Sequence, residues 1–440
     1  MDTIPSGVVV DVMGTIDAAV QAPVFVVGEG PPAAPVLRVL LRATDASAVG
    51  ARLEAAGFLR RGTTYANFEP GEVQGVELLI TESWGLGRGP TRSGEELFAG
   101  CQPLPGFEHL ARPAPPVVLV LIAHDVALAG GELSDDQRKK ALSAAGSGPG
   151  VWDDAAALAG RFRLTAHLRL LRRALGQPER WTARQRRRAL VRAVAAGPPS
   201  TAVAAARSLV RHRRRPLLVS LSGPDGSGKS TQVGRLVTTL DALGVRTGTA
   251  WVPTTNRPTL PTSIRAWAAS WRRPTGDAVG QEKRPSGGGT TPARPRSVPP
   301  HVRLVEHLWI TSAAVSNAAK IWASVWRGRG SDVLVLDRFV LDADVKLTYW
   351  YQVRRGADIT MERRLFRAVC PKVDVSVLLV VDPETNVARR PDEWNIGAFR
   401  HFQKIYADTA RELGAVVVDA ERPVDDVARD IAETVWTRLP

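Results

Sequence analysis

Two cysteines, Cys101 and Cys370, are all that the 440 residues contain. Two distant thiols supply neither a disulfide framework nor a structural zinc site, and they suit a reducing cytoplasm. Long hydrophobic runs are missing too: no stretch of about 18 uncharged apolar residues occurs, so no membrane-spanning helix is expected. The first residues, Met1-Asp-Thr-Ile-Pro5, are acidic and lack the basic-then-apolar order of an export signal. Acids are in deficit, with 44 Asp and Glu against 58 Lys and Arg and a net charge of +14. Such a balance suits nucleic acid or an anionic membrane surface. The basic residues are mostly arginine, however, and alanine is abundant, which a GC-rich coding bias explains without any partner. The excess is concentrated: from Arg172 to Arg215 thirteen arginines face one acid, Glu179. A run of this kind is ordinarily a solvated face; 172–215 is also where nucleic acid or another anionic partner would bind.

What is present is a hydrophobic fraction of 44%, ordinary for a globular protein, and a length sufficient for two or three domains. One stretch organises them. Leu217 to Leu221 is a short apolar run of the kind a central parallel strand shows, and Gly223-Pro-Asp-Gly-Ser-Gly-Lys-Ser230 follows with the G-x-x-x-x-G-K-[ST] spacing. The glycines let the backbone curl so that successive N–H groups converge on one point, where a phosphate can sit. Lys229 can reach the β- and γ-phosphates of ATP, and the Ser230 hydroxyl can ligate Mg²⁺. Val233, Leu236, Val237, Leu240 and Leu243 then recur with a helical period, and Gly244 ends the helix. The dipole of that helix adds to phosphate binding. With a strand before it and a helix after it, the pattern reads as a nucleotide-phosphate site rather than a glycine-rich turn.

Residues 1–170 read as an α+β accessory domain. Strands are expected at Pro23–Val27, Val36–Leu41 and Val76–Ile80, a helix at Ala46–Ala56, and an apolar helix or strand–helix at Val117–Ala129. Ser134-Asp-Asp-Gln137 has capping-box spacing, and Val151–Leu175 is expected as helix. His124-Asp125 suggests a metal or catalytic pair, but it follows the apolar run Val117–Ile122, so His124 reads as a buried structural histidine. Residues 171–215 read as a basic helical linker, broken at Gly197-Pro-Pro-Ser200. Residues 216–440 alternate strand and helix, with further strands at Thr247–Val252, Asp332–Asp337, Val375–Val381 and Ala415–Val418 and helices at His301–Arg327 and Val424–Leu439. The span 273–300 is rich in Pro, Gly, Ser, Thr and Arg and reads as a disordered insertion. Trp309, Trp322 and Trp326 read as packing residues, or for one of them as the lining of an acceptor pocket. The alternation predicts an α/β fold, a parallel sheet flanked by helices with right-handed crossovers. Ligands then gather at the carboxyl ends of the strands, where the loop, Asp337 and Asp382 lie.

Gly223-Pro-Asp-Gly-Ser-Gly-Lys-Ser-Thr-Gln232 closely resembles the phosphate-binding loop of thymidylate kinases, including the acid inside the loop and the Thr-Gln after it. Asp337-Arg338-Phe339 resembles that family's Asp-Arg-aromatic motif, and Val416-Val-Val-Asp-Ala-Glu-Arg-Pro-Val-Asp-Asp-Val427 its last strand and helix. The resemblance covers about residues 216–440. It implies a P-loop kinase with ATP and Mg²⁺ as cofactors and a nucleoside monophosphate as default acceptor, dTMP first; the reading also allows a homodimer. Gly223, Asp225, Gly226, Ser227, Gly228, Lys229, Ser230 and Thr231 would bind the nucleotide. Ser230 and Asp337 would hold Mg²⁺, Arg338 would grip the acceptor phosphate, and Asp225 would contact a hydroxyl or amine near the acceptor. Arg389 and Arg390 fall where relatives carry a lid arginine that closes over the transferring phosphoryl group, a catalytic role the resemblance implies for Arg389; the alternative for the pair is a solvated turn before Pro391.

Two departures stand on the acceptor side. The family's Arg-Glu-Pro-Gly after the second strand is replaced by Val252-Pro-Thr-Thr-Asn-Arg-Pro258, where only Arg257 can substitute. Its Ser-x-x-Ala-Tyr-Gln is replaced by Val340-Leu-Asp-Ala-Asp-Val-Lys346, whose Asp342 and Asp344 suit a different acceptor, a metal or a helix cap. These departures leave a sugar or lipid-linked phosphate as the alternative to the default acceptor. A non-catalytic nucleotide-binding regulatory protein is the alternative from another class. In the first domain, Val36-Leu-Arg-Val-Leu-Leu-Arg-Ala-Thr-Asp45 and Gly57-Phe58 resemble a small nucleotidyltransferase-like domain that precedes kinase domains in some bacterial proteins. That family binds two metal ions through paired aspartates; Arg38 and Leu40 stand in that region here, which implies a degenerate domain, the alternative being an unrelated α+β domain.

Overall fold

The computed structural model describes residues 7–29, 36–81, 95–128, 133–176, 191, 195, 215–252, 254, 300–389 and 396–439. Most of the expected basic linker, the expected insertion up to residue 299, Arg257 and Arg390 lie outside the described residues. The chain divides into two compact units: Met1–Arg214 with Thr239–Val245 and Leu439–Pro440, and Arg215–Thr238 with Arg246–Arg438.

The first unit opens with α1 (Gly7–Asp17), β1 (Val24–Glu29), β2 (Val36–Leu41) and α2 (Ala43–Ala55). A meander of β3 (Leu59–Arg61), β4 (Thr64–Glu69) and β5 (Glu72–Ile80) follows. After α3 (Glu95–Phe98), β6 (Gln102–Pro103) and β7 (Leu110–Arg112) come α4 (Pro115–Leu128), α5 (Asp135–Ala145), α6 (Val151–Arg161) and α7 (Thr165–Gly176). The strands form one mixed sheet in the order β3-β4-β5-β2-β1-β7-β6. Alternation along β2 sends its side chains to two cores. Val39 and Leu41 join Val49 and Leu53 of α2, whereas Leu40 joins Val120 and Ala123 of α4.

Arg38 shares the Leu40 face, so a cation must be neutralised against the helical layer. It donates to Glu77 of β5 at 2.9 Å and to Asp125 of α4 at 2.6 and 3.4 Å. Burial works to lower the guanidinium pKa, but Asp125 and then Glu77 outweigh it and raise the value above its ordinary range. Asp125 is therefore committed to Arg38, and His124 beside it is buried. No group of three potential metal ligands occurs among the described residues.

The capping box at Ser134 forms: Ser134 Oγ accepts from the Gln137 N–H, and Gln137 Oε1 accepts from the Ser134 N–H, both at 3.2 Å. The expected single helix 151–175 is instead two. Arg163, at φ +58°, breaks it between α6 and α7, with Phe162 and Leu164 buried on either side. A non-glycine in the left-handed region carries no local sequence signature, and the tight corner is held by tertiary packing.

His167 of α7 is fully buried 5.9 Å from the His124 ring, and neither of its ring nitrogens finds a hydrogen-bond partner among the described residues. Burial first, then the charge of His124, lowers its pKa to about 4. The unfolded chain titrates this group near pH 6.5, so between pH 6.5 and 4 the unfolded state binds more protons, and stability must fall as pH falls through that window. The linkage amounts to about 3 kcal/mol at most. Acid unfolding of His167→Leu, followed by circular dichroism, is expected to show a flatter stability profile from pH 6.5 to 4; a slope equal to wild type would contradict this.

The second unit runs β8 (Leu217–Ser222), α8 (Lys229–Ala242), β9 (Thr247–Trp251), α9 (Pro300–Arg327) and β10 (Val333–Asp337). Then come α10 (Val340–Leu347), which continues into a π-helical turn (Thr348–Val353), and α11 (Thr360–Val369). β11 (Val375–Val380), α12 (Pro383–Arg389), α13 (Ile396–Leu413), β12 (Val416–Asp419) and α14 (Val424–Trp436) complete it. Five strands, all parallel, lie in the order β12-β11-β8-β10-β9. This is an α/β fold, a parallel sheet flanked by helices. The central strand β8 is apolar along most of its length because both faces are covered.

Trp309 packs partly buried against one core, but Trp322 and Trp326 are exposed, contrary to a packing role for all three. Of the two thiols, Cys370 is buried and its pKa is pushed up to about 12, which leaves it unreactive. Among the described residues no helix is long and apolar enough to cross a membrane.

Candidate functional site

The register of β8 against β10 sets Leu221 beside Asp337, so the loop after β8 and the acid ending β10 emerge side by side. Gly223, at φ +150°, begins the loop, and a Cβ there would meet the Leu379 carbonyl oxygen at 2.6 Å. Gly226 and Gly228 turn it with φ of +92° and +82°. Only glycine adopts this sequence of conformations at low cost, and the turned N–H groups at the start of α8 make an anion-binding nest.

Lys229 is buried beneath the loop, and its ammonium donates to the carbonyls of Gly223 at 2.9 Å and Pro224 at 2.7 Å. Burial lowers its pKa; Asp342 and Asp225 work against that shift, and Arg338 adds to it. Asp225 lies 3.7 Å from the Lys229 ammonium and pairs with the Arg338 guanidinium. Arg338 itself sits at φ +68°, a left-handed conformation that costs a non-glycine residue about 1–2 kcal/mol. Ser227 is buried within the loop, and Thr231 lies exposed on the first turn of α8.

Ser230 Oγ donates to Asp337 Oδ2 at 3.1 Å. The other carboxylate oxygen, Asp337 Oδ1, is buried with no hydrogen-bond partner among the described residues. A hydroxyl and a carboxylate, both hard oxygen donors, with one carboxylate oxygen still to be satisfied, are what a Mg²⁺ ion bridging to phosphate requires. The donor set fits Mg²⁺.

Three further residues hold the site, and of these Asn386 and Tyr406 carried no reading in the sequence. Asn386 of α12 donates from Nδ2 to the Asp225 carbonyl at 2.9 Å, fixing the loop tip. Asp342 of α10, fully buried, accepts from the Gly223 N–H at 3.4 Å, the Phe339 N–H at 3.2 Å and the Tyr406 hydroxyl at 2.9 Å. It caps the start of α10, as the helix-cap reading expects, and tethers the first glycine of the loop to two helices, so neither metal nor acceptor binding describes it. Burial, then the Asp342 charge, raises the Tyr406 pKa well above the ordinary tyrosine value, and Tyr406 stays a neutral donor.

Asp344, left open as acceptor ligand, metal ligand or cap, is bound by Arg363 and Arg367 of α11. Asp382 accepts from the N–H groups of Glu384 at 2.8 Å and Thr385 at 3.3 Å and so caps α12 rather than reaching the loop. Arg389 ends α12; its side chain lies outside the described residues. Asn386 and Tyr406 had no signal in the sequence beyond their polarity, because each acts across more than 60 residues of chain, and so does the Asp342 contact with Gly223.

No family model matches the chain. A stretch of 95 residues is 30% identical to a probable thymidylate kinase of Archaeoglobus fulgidus. The likeness is to thymidylate kinases. That stretch is 20% of this chain and 48% of the relative, so the chain spans about half the length of the curated protein it matches. Among solved structures, thymidylate kinase from Ehrlichia chaffeensis is similar over 51% of this chain and 99% of that chain, at 16% identity and a TM-score of 0.29.

Proposed function

We propose that the second unit is an ATP- and Mg²⁺-dependent P-loop kinase that transfers a phosphoryl group to a small acceptor, by default a nucleoside monophosphate and first of all dTMP. One observation carries the reading: the loop 223–229 with its buried lysine lies beside Ser230 and Asp337, joined across adjacent parallel strands. The partial likeness to a probable thymidylate kinase supports it.

Phosphoryl transfer needs positioning and charge neutralisation more than covalent chemistry. The loop N–H groups and the α8 dipole bind the donor phosphates, and Lys229 exchanges its carbonyl partners for phosphate oxygens. Ser230 and Asp337 would hold Mg²⁺, which would supply neutralisation of the charge that develops in the transfer. Arg338 turns from Asp225 to the acceptor, its planar fork suited to an oxyanion. Its left-handed backbone aims the side chain over the loop, and the strain persists because the Arg338 N–H is held by the Leu221 carbonyl at 3.3 Å.

Arg338→Gly separates these roles. Glycine relieves about 1 kcal/mol of backbone strain and forfeits an ion pair of similar size, so melting temperature is expected to change little. Turnover is expected to fall about a hundredfold or more, because one transition-state cation is gone. A variant that melts far below wild type, or that keeps its turnover, contradicts the assignment. The acceptor is tested by ADP release from purified protein across nucleoside monophosphates, sugar phosphates and lipid-linked phosphates. Release with dTMP supports the default, and release with none of the nucleoside monophosphates removes it.

A further inference from the structure

Lys346 lies one helical turn beyond Asp342 on α10, hence on the face turned to the loop. Its ammonium donates to the main-chain carbonyl of Thr254, just past β9, at 3.2 Å. That is one bond for a group with three donors. No carboxylate of a described residue comes within ion-pairing distance of it, although Arg363 and Arg367 share Asp344, and Arg338 and Lys229 share Asp225. The carboxylates whose charge does reach it, Asp342 and Asp225, are engaged elsewhere, the first with Gly223, Phe339 and Tyr406 and the second with Arg338. Burial first, then the Arg338 charge, lowers its pKa, which is the mark of a cation short of counter-charge.

The side chain of the same Thr254, a residue more than nine-tenths buried, ends in a hydroxyl with no hydrogen-bond partner among the described residues. A part-buried cation without a counterion and a buried hydroxyl without a partner are each unfavourable, and they belong to two residues already in contact through the Thr254 carbonyl. One oxyanion bound by both would satisfy them.

We propose that Lys346 and Thr254 form an oxyanion subsite beside Arg338 that binds an acidic group of the phosphoryl acceptor, making the acceptor an anion rather than a neutral alcohol. The inference rests on the kinase reading and deepens it, because it supplies a cation to the acceptor side, where the expected arginine motif is missing. Lys346 and Thr254 are specificity-determining residues of the same site; neither is needed to hold the donor.

The test uses the full chain saturated with a non-hydrolysable ATP analogue and Mg²⁺, which fills the γ-phosphate position. Inorganic phosphate and acetate are then titrated by calorimetry into wild type, Lys346→Gln, Lys346→Arg and Thr254→Val. Wild type is expected to bind at least one of the two anions saturably, phosphate indicating a phosphomonoester acceptor and acetate a carboxylate. Lys346→Gln is expected to weaken that binding about tenfold or more, through loss of a charge-assisted bond, while the analogue binds as before. Lys346→Arg is expected to restore most of it, which a purely structural role does not predict, and Thr254→Val to weaken it less than Lys346→Gln.

Equal anion binding by wild type and Lys346→Gln, or no saturable binding of either anion to analogue-loaded wild type, overturns the proposal and leaves the kinase reading standing. Failure of wild type to bind the analogue at all overturns the kinase reading and the proposal with it.

Discussion

Lys229→Ala is expected to lower turnover about a thousandfold or more while leaving the protein folded. The lysine places a buried positive charge directly under the loop, and its only hydrogen bonds among the described residues are to the carbonyls of Gly223 and Pro224. Losing two charge-assisted bonds costs stability, but removing a desolvated ammonium returns much of that cost, so the net change is about 1–2 kcal/mol. In phosphoryl transfer no such compensation exists, since alanine leaves the developing phosphate charge without its nearest cation. Steady-state ADP release and a thermal melt on the same preparation check both halves. Turnover within tenfold of wild type would remove Lys229 from the chemistry, and a protein that fails to melt cooperatively would show that the loop depends on it structurally.

The largest stability effect is expected at Asp344. Its carboxylate is fully buried and accepts from Arg363 Nε at 2.8 Å and Arg367 Nε at 2.6 Å, which ties α10 to α11. Both arginines also reach Glu412 of α13, at 3.1 and 2.6 Å. Removing one partner of a buried ion pair costs about 3–5 kcal/mol, because the other charge is left desolvated. Glu412 remains to hold both guanidiniums, so Asp344→Ala is expected near the lower end, about 3 kcal/mol, read as a shift of the urea midpoint at constant slope. Replacing all three residues with leucine and methionine is expected to recover most of the loss, since an apolar cluster has no stranded charge. A loss below about 1 kcal/mol for Asp344→Ala would show that the cluster is solvated rather than buried.

The parts of this fold that were legible in the sequence are those whose signal is local. The loop, β8 before it and the helical period after it lie within about thirty residues, and glycine spacing alone dictates the backbone there. β10 and β11 were readable as apolar runs because they are covered on both faces. The β3–β4 hairpin was missed: Arg60, Arg61 and Glu69 interrupt its alternation, and its pairing with β5 is decided by the sheet. Helices α11 and α13 were missed as well, although their apolar stripes are regular.

The site divides in the same way. Lys229, Ser230 and Asp337 follow from motif and strand ends, and the fold brings them together. Asp342 and Asp344 occupy neighbouring positions of one helix yet do opposite things, one bracing the loop and the other locking α11, because residues two apart face different sides. Lys346 had no reading at all; its meaning depends on what fails to surround it, and that is a property of the folded chain alone.

The central claim is that residues 223–231 with Asp337 form a Mg²⁺-dependent ATP site. Calorimetric titration of ATP into the full chain, with Mg²⁺ and again with a chelator, tests it most directly. The expected result is single-site binding that weakens markedly in the chelator and in Asp337→Asn, with Lys229→Ala binding still more weakly. No measurable binding at millimolar ATP with Mg²⁺, or binding indifferent to Mg²⁺ and to both substitutions, would contradict it.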